Sequence, residues 1–270
     1  EEGKVKNVVK SLGVLAAYFV VQIIVQMVFM AAGIAYGIRS ENGLLEFSMD
    51  HLFLMTILSN IIMLILLVLF ARLRKKSVRV EWGLKQVRAG MYIQSAAAAF
   101  MLSFAWTLIS YDLSFSNVQQ MERSAAFYSE IFPGLGVVMM ALTLLFAQPI
   151  VEEVMCRSII LNGLKSSMPI WTAVITSSML FGAVHLLAGG IWLAAGAAVM
   201  GLCFGIIFVK AESLYAAVVA HIFANLPDFF MPYLPEIGNG MRGALALLLI
   251  VGAGVMLYFL SKRGNAHFVK

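Results

Sequence analysis

Charge is scarce in this chain. Asp, Glu, Lys and Arg together make up 12% of its 270 residues, where a soluble domain carries roughly a quarter. Hydrophobic residues reach 61% and mean hydropathy is +0.92, more apolar surface than one soluble core of this size could hide. The solvent that fits is lipid, and no stretch is left over for a soluble domain. Cysteine is also rare. Cys156 and Cys203 fall in or beside apolar runs and give no disulfide framework. Strand-like alternation over about ten residues, the mark of a membrane barrel, is missing. So are internal repeats and low-complexity tracts.

What is present is a series of apolar runs near 11–37, 51–71, 89–110, 134–151, 169–187, 190–209, 212–227 and 242–260. A spanning helix needs about 20 apolar residues, and only helices satisfy their own backbone in lipid. The expected fold is all-α: a polytopic transmembrane bundle of about eight spans, one domain over 1–270. The first run follows Lys4, Lys6 and Lys10, but it is far longer than the roughly 7–15 residues of a signal-peptide core. It reads as the first span.

Loop charges orient the bundle. Arg72, Arg74, Lys75, Lys76, Arg79, Lys85 and Arg88 crowd one loop against a single Glu81. The flanking loops are net negative, with Arg39, Glu41, Glu46 and Asp50 before it and Asp112, Glu122, Arg123 and Glu130 in 111–133, a segment expected to hold an amphipathic surface helix. Arg157 and Lys165 follow the fourth run; Lys262, Arg263 and Lys270 close the chain. Positive charge returns at every second loop, which puts both termini in the cytoplasm of a plasma membrane, bacterial by composition. The net charge of +5 therefore reads as topology, with lipid as partner and no nucleic acid. The basic loop is topogenic first; Trp82 within it could also anchor against anionic headgroups.

Ionisable groups inside a span are costly and need a partner or a function. Here they concentrate late. Gln148-Pro149-Ile150-Val151-Glu152-Glu153-Val154-Met155-Cys156-Arg157 sets two carboxylates before an arginine. Glu153 and Arg157 stand four apart and can pair, while Glu152 is turned about 100° away. Phe181 precedes His185 by one turn in the next run, and His221 precedes Asn225 by one turn in the seventh. A carboxylate can take a proton from water that an imidazole orients, and a His–Asn pair can hold an oxyanion. Each element also has an ordinary reading: a solvated helix end for the Glu pair, a packing histidine for His185, interhelical polar glue for His221 and Asn225. His51 and His267 carry no assignment.

Glu152/Glu153/Arg157, then Phe181/His185, then His221/Asn225, in that order on late helices, resemble the motifs of the CAAX prenyl protease and bacteriocin-processing (CPBP) intramembrane proteases, the type II CAAX prenyl endopeptidase kind. The resemblance covers about 130–230, read as the catalytic core; Trp82-Gly83-Leu84 is similar to many relatives but less specific. It implies peptide-bond hydrolysis in the membrane. Glu152 would activate water with His185, His221 and Asn225 would stabilise the oxyanion, and Glu153, Arg157 and Phe181 would support them. Relatives have been described as glutamate proteases and as metalloproteases. No cofactor is favoured here: zinc, if bound, would take Glu152, His185 and His221, but a His-Glu-x-x-His helix is lacking. The implied substrates are prenylated protein tails, bacteriocin or pheromone precursors, or membrane-anchored regulators, and no feature selects among them. Oligomeric state stays open.

One tension follows from the spans. Glu152 ends a descending helix near the cytoplasmic surface, whereas His185 lies about 24 Å up the next. The two can meet if both helices run long on either side of Leu161–Met168, which is the expectation, or if the fifth tilts strongly. A rival reading uses Glu152, Glu153, His185 and His221 as the proton relay of a transporter or channel, though the inverted repeats it calls for are not seen. A third is an inactive membrane scaffold or immunity protein.

Overall fold

A computed structural model of the chain describes residues 2–73, 75, 77–110, 115–230 and 237–265. Arg74, Lys76, Asp112, His267 and Lys270 lie outside the described residues. Those described form helices and connecting turns, with no strand among them. In order these are α1 (Glu2–Ala35), α2 (Glu41–Asp50), α3 (Leu52–Leu73), α4 (Ala89–Ile109), α5 (Phe115–Ile131), α6 (Leu135–Leu164), α7 (Ile170–Ala211), α8 (Leu214–Asn225) and α9 (Asn239–Asn265). Single-turn helices stand at Val78–Glu81 and Pro227–Phe230. Ser40 and Ser213 cap α2 and α8, their hydroxyls accepting the first free amides of each helix.

Six helices are long and apolar enough to cross a membrane: Val8–Ala35, Leu52–Leu73, Ala89–Ile109, Leu135–Leu164, Ile170–Ala211 and Asn239–Lys262. Leu214–Phe230 is a shorter apolar stretch. Their outward residues are apolar as well: Ile23, Met27, Leu69, Leu247 and Leu248 are all exposed. A water-facing surface would not be built this way.

The count differs from the eight apolar runs because 169–187 and 190–209 join into α7 and because 212–227 falls on the shorter Leu214–Phe230. That helix is not a straight rod. Gly189 and Gly190 leave helical geometry, Gly190 at φ 73, a left-handed conformation open to glycine. Beyond them the chain folds back on itself. A Cβ on Gly182 would lie 2.6 Å from the Ala194 carbonyl oxygen and 2.8 Å from the Ala198 Cβ. Gly201 faces Phe181 and Ser178, and Gly205 faces Val174. These pairs run antiparallel, so 170–188 and 191–211 are two arms in backbone contact, the close approach that small residues permit in lipid. Gly182→Ala must push the arms apart, at a cost of about 1–3 kcal/mol. Gly13→Ala, inside α1 with open space around it, is the control and should gain about 0.5–1 kcal/mol from helix propensity alone. Thermal unfolding in detergent reads both.

The fourth apolar run was expected to end at 151. Instead α6 continues to Leu164, and the next helix begins after a short turn at Ile170. Long helices therefore do flank Leu161–Met168. Glu152 stands about 18 Å above the α6 end and His185 about 22 Å above the α7 start. The height mismatch disappears. Arg157, expected among the loop charges, is instead wholly buried in α6, because the apolar run resumes after it as Ser158-Ile159-Ile160-Leu161. It is not a topogenic charge.

Trp82 is likewise no lipid anchor. It is buried in the main core, its carbonyl accepting the Ser158 hydroxyl at 2.8 Å. The Gly83 carbonyl accepts the Leu214 amide at 2.9 Å, and the Ser213 hydroxyl donates to the Lys85 carbonyl. The basic loop is thus stapled onto the ends of α6 and α8. The surface helix expected in 111–133 is α5, held to α2 by Arg123, which bonds Asp50 at 2.7 Å and lies 3.6 Å from Glu46.

Candidate active site

The site begins with a proline inside a helix. Around it α6 is wound wide: Leu142–Ala147 and Val154–Leu161 are π-helical, a form frequent at functional sites. The Gln148 amide donates five residues back, to the Thr143 carbonyl. In that register the next amide would serve Leu144, but residue 149 is proline and has none. The carbonyl left over is taken by α8: the Asn225 side-chain amide donates to Leu144 O at 2.7 Å. Pro149 thereby fixes where Asn225 sits. The second wide stretch turns carbonyls toward neighbouring hydroxyls too, Ser177 donating to Cys156 O at 3.1 Å.

Glu152 and Glu153 are adjacent, both buried, and differently used. Glu153 is fully enclosed. One oxygen lies 3.0 Å from Arg157 Nε and the other accepts His221 Nδ1–H at 3.0 Å. The Arg157 approach is close but off the hydrogen-bond direction, so the guanidinium is held by charge and by aromatic faces. It lies 5.1 Å from the Phe181 ring centre and 5.6 Å from that of Phe204. Glu153 is therefore more than a partner for Arg157; it also fixes the tautomer and orientation of His221. The i,i+4 spacing marks the Arg157 contact, while the His221 contact spans 68 residues and has no local signal.

His221 stacks on Phe204 at 4.6 Å and turns Nε2 to Glu152, 3.8 Å away. Phe181 packs edge-on to both His185 and His221, at 4.7 and 5.8 Å, so the motif phenylalanine seats both imidazoles. His185 Nδ1–H donates to the Phe181 carbonyl at 2.8 Å, which leaves Nε2 unused by the backbone.

One cavity of about 290 Å³ is lined by Glu152, His185, His221 and Asn225 together. All four candidates from three helices meet there, with Phe181 in the wall. Glu153 and Arg157 stand behind it. The cavity also takes in Gln148 and Asp228, which the motifs did not single out. Asp228 is three residues past Asn225, a helical neighbour, and that spacing was the available signal. Among the described residues no three His, Cys, Asp or Glu side chains are grouped as a metal set. Glu152, His185 and His221 share the cavity without forming a three-ligand cluster.

No curated protein and no solved structure matches the chain. A family model does match, over residues 134–227: the type II CAAX prenyl endopeptidase, Rce1-like. That segment runs from the start of α6 past Asn225 and includes every motif residue; it ends one residue short of Asp228. The match supports a membrane protease, and the apolar helices fit an integral membrane protein. Over about a third of its length, the part that carries Glu152, His185, His221 and Asn225, the chain is matched by the Rce1-like type II CAAX prenyl endopeptidase family, the same family its three motifs resemble.

Proposed function

We propose that this chain is an intramembrane endopeptidase that hydrolyses a peptide bond with water activated by Glu152. The observation that carries the reading is the single cavity gathering Glu152, His185, His221 and Asn225 among buried helices. Glu152 accepts a proton from a water held with His185 as the water oxygen attacks the scissile carbonyl carbon. The charge that collects on the carbonyl oxygen meets the free N–H of Asn225 and the Nε2–H of His221 in its imidazolium form. The proton then passes to the leaving amide nitrogen and the C–N bond breaks. Glu153 and Arg157 position His221 and touch no reacting atom.

The topology that goes with this reading counts the two arms of α7 and the short α8 stretch as separate passes. Eight passes and the loop charges then put both termini in the cytoplasm. Prenylated tails, bacteriocin or pheromone precursors and membrane-anchored regulators are the substrate classes the resemblance offers.

The test is digestion of a peptide library by purified protein in lipid, with fragments identified by mass spectrometry. Discrete cleavage is expected, and chelation should leave its rate within about twofold, because the attacking water gives its proton to Glu152 and not to a metal-bound base. Cleavage that stops on chelation and returns with zinc would replace water activation by Glu152 with metal chemistry. Asn225→Ala is expected to slow cleavage by about 10²–10³ through loss of one oxyanion donor. Pro149→Ala should slow it less, by restoring a backbone competitor for Leu144.

A further inference from the structure

The cavity is not symmetric between the two ends of the bundle. Its floor is Glu152, Phe204 and His221, all nearly buried. From there its lining climbs α4 through Ser103, Thr107 and Ser110, and reaches Ala188 and Leu193 on either side of the Gly189–Gly190 turn. Ala188 is exposed. Met121 of α5 and Asp228 complete the upper rim among the described residues. Every one of these upper positions is at the end of the bundle away from the start of α1 and the end of α9.

The other end is shut. Below the floor lie Ile160, Leu161, Leu164, Ile207 and Leu214, each at most 2% exposed. Beneath that layer the loop of Trp82, Gly83 and Lys85 is stapled across α6 and α8. A peptide reaching Glu152 from this side would have to displace a close-packed core.

Charge distinguishes the same two ends. The sealed end carries Arg72, Lys75, Arg79, Lys85, Arg88, Lys165 and Lys210 against Glu81 and Glu212; the end with the cavity rim carries Glu41, Glu46, Asp50, Glu122, Glu130 and Asp228 against Arg39, Arg123 and Arg242. By the positive-inside rule the sealed end is cytoplasmic.

We propose that the site takes its substrate from the membrane face opposite the chain termini, so that the substrate is a peptide segment presented outside the cytoplasm rather than a cytosolic protein tail. The substrate class rests on the endopeptidase reading above; the direction of access rests on geometry and charge alone. A cytosolic tail would meet only the plugged surface, whereas a peptide already exported, or the outer flank of a membrane-anchored protein, arrives at the rim.

Thiol labelling separates the two questions, because it needs no cleavage. Single cysteines at Ala188 on the rim, Met200 on the cavity wall and Lys165 in the turn at the sealed end are introduced into the full chain. Each is treated with the membrane-impermeant reagent 2-sulfonatoethyl methanethiosulfonate. Intact spheroplasts of a bacterial host expose one face and inverted vesicles the other. The native Cys156 and Cys203, at 1% and 2% exposure, set the background. Ala188→Cys and Met200→Cys should label on the order of tenfold faster in spheroplasts than in inverted vesicles, since a thiolate forms only where water reaches it. Lys165→Cys should do the reverse. Leu193→Cys repeats the rim measurement should Ala188→Cys fail to accumulate. Faster labelling of Met200→Cys in inverted vesicles overturns the proposal, and so does no labelling from either side. If sidedness is as stated but no peptide is cleaved, the endopeptidase reading fails and the direction of access stands.

Discussion

Glu152→Gln is expected to lower peptide cleavage by about 10²–10⁴-fold, the usual contribution of a positioned general base, while the protein folds as before. The loss should fall in kcat, because a carboxamide of the same shape still lines the cavity but cannot take the proton. Folding is spared because the nearest basic group to Glu152, His221 Nε2, is 3.8 Å away, and no guanidinium is paired with it. Its neighbour behaves oppositely. Glu153→Gln removes the charge between Arg157 and His221 and should destabilise the fold as well as slow cleavage. Two adjacent glutamates thus give separable phenotypes. The check is kcat and KM beside thermal unfolding for both variants.

The second large effect is on stability. Arg157→Met leaves the Glu153 side chain wholly enclosed with only His221 beside it, at a cost of about 3–5 kcal/mol, the range for breaking a buried pair from one side. Arg157 is itself 0% exposed and its guanidinium hydrogens have no hydrogen-bond partners among the described residues. The pair is therefore a poor source of stability but a serious liability when halved. The double variant Glu153→Gln with Arg157→Met should recover most of the loss, since no lone charge remains. It should still cleave poorly, because His221 has lost the carboxylate that orients it. Unfolding in detergent for the four members of this cycle, with activity measured on each, separates the two roles.

Several of these features were legible in the sequence and others were not. The late ionisable residues stand out because lipid penalises them, and their helical spacings told which belonged together on one face: Glu153 with Arg157, Phe181 with His185, His221 with Asn225. Span ends were less legible. Hydropathy falls at Glu152, Glu153 and Arg157, so by composition the fourth run stops at 151. Buried pairing is what lets α6 carry those charges on to Leu164, and pairing across helices leaves no trace in local hydropathy. The same blindness made Arg157 look like a loop charge and Trp82 like a lipid anchor. The α7 turn was visible only as two separate apolar runs, 169–187 and 190–209; that they turn at Gly189 and Gly190 and touch through Gly182, Gly201 and Gly205 needed coordinates. Pro149 was in plain view within the first motif. Its consequence for Asn225, 76 positions away, depends on π-helical winding that no periodicity announces. Asp228 could have been found by its spacing from Asn225, though nothing in its neighbourhood distinguishes it from a charge closing an apolar helix.

The central claim is that a water molecule, rather than a side chain of this protein, attacks the peptide bond. Digestion of a cleaved peptide in ¹⁸O-labelled water with added hydroxylamine tests it most directly, the products being weighed by mass spectrometry within a single turnover. Direct attack from the cavity predicts one ¹⁸O atom in each newly formed carboxylate and no hydroxamate. A hydroxamate product would mean that an acyl group had been carried by the protein, and would contradict the role given to Glu152.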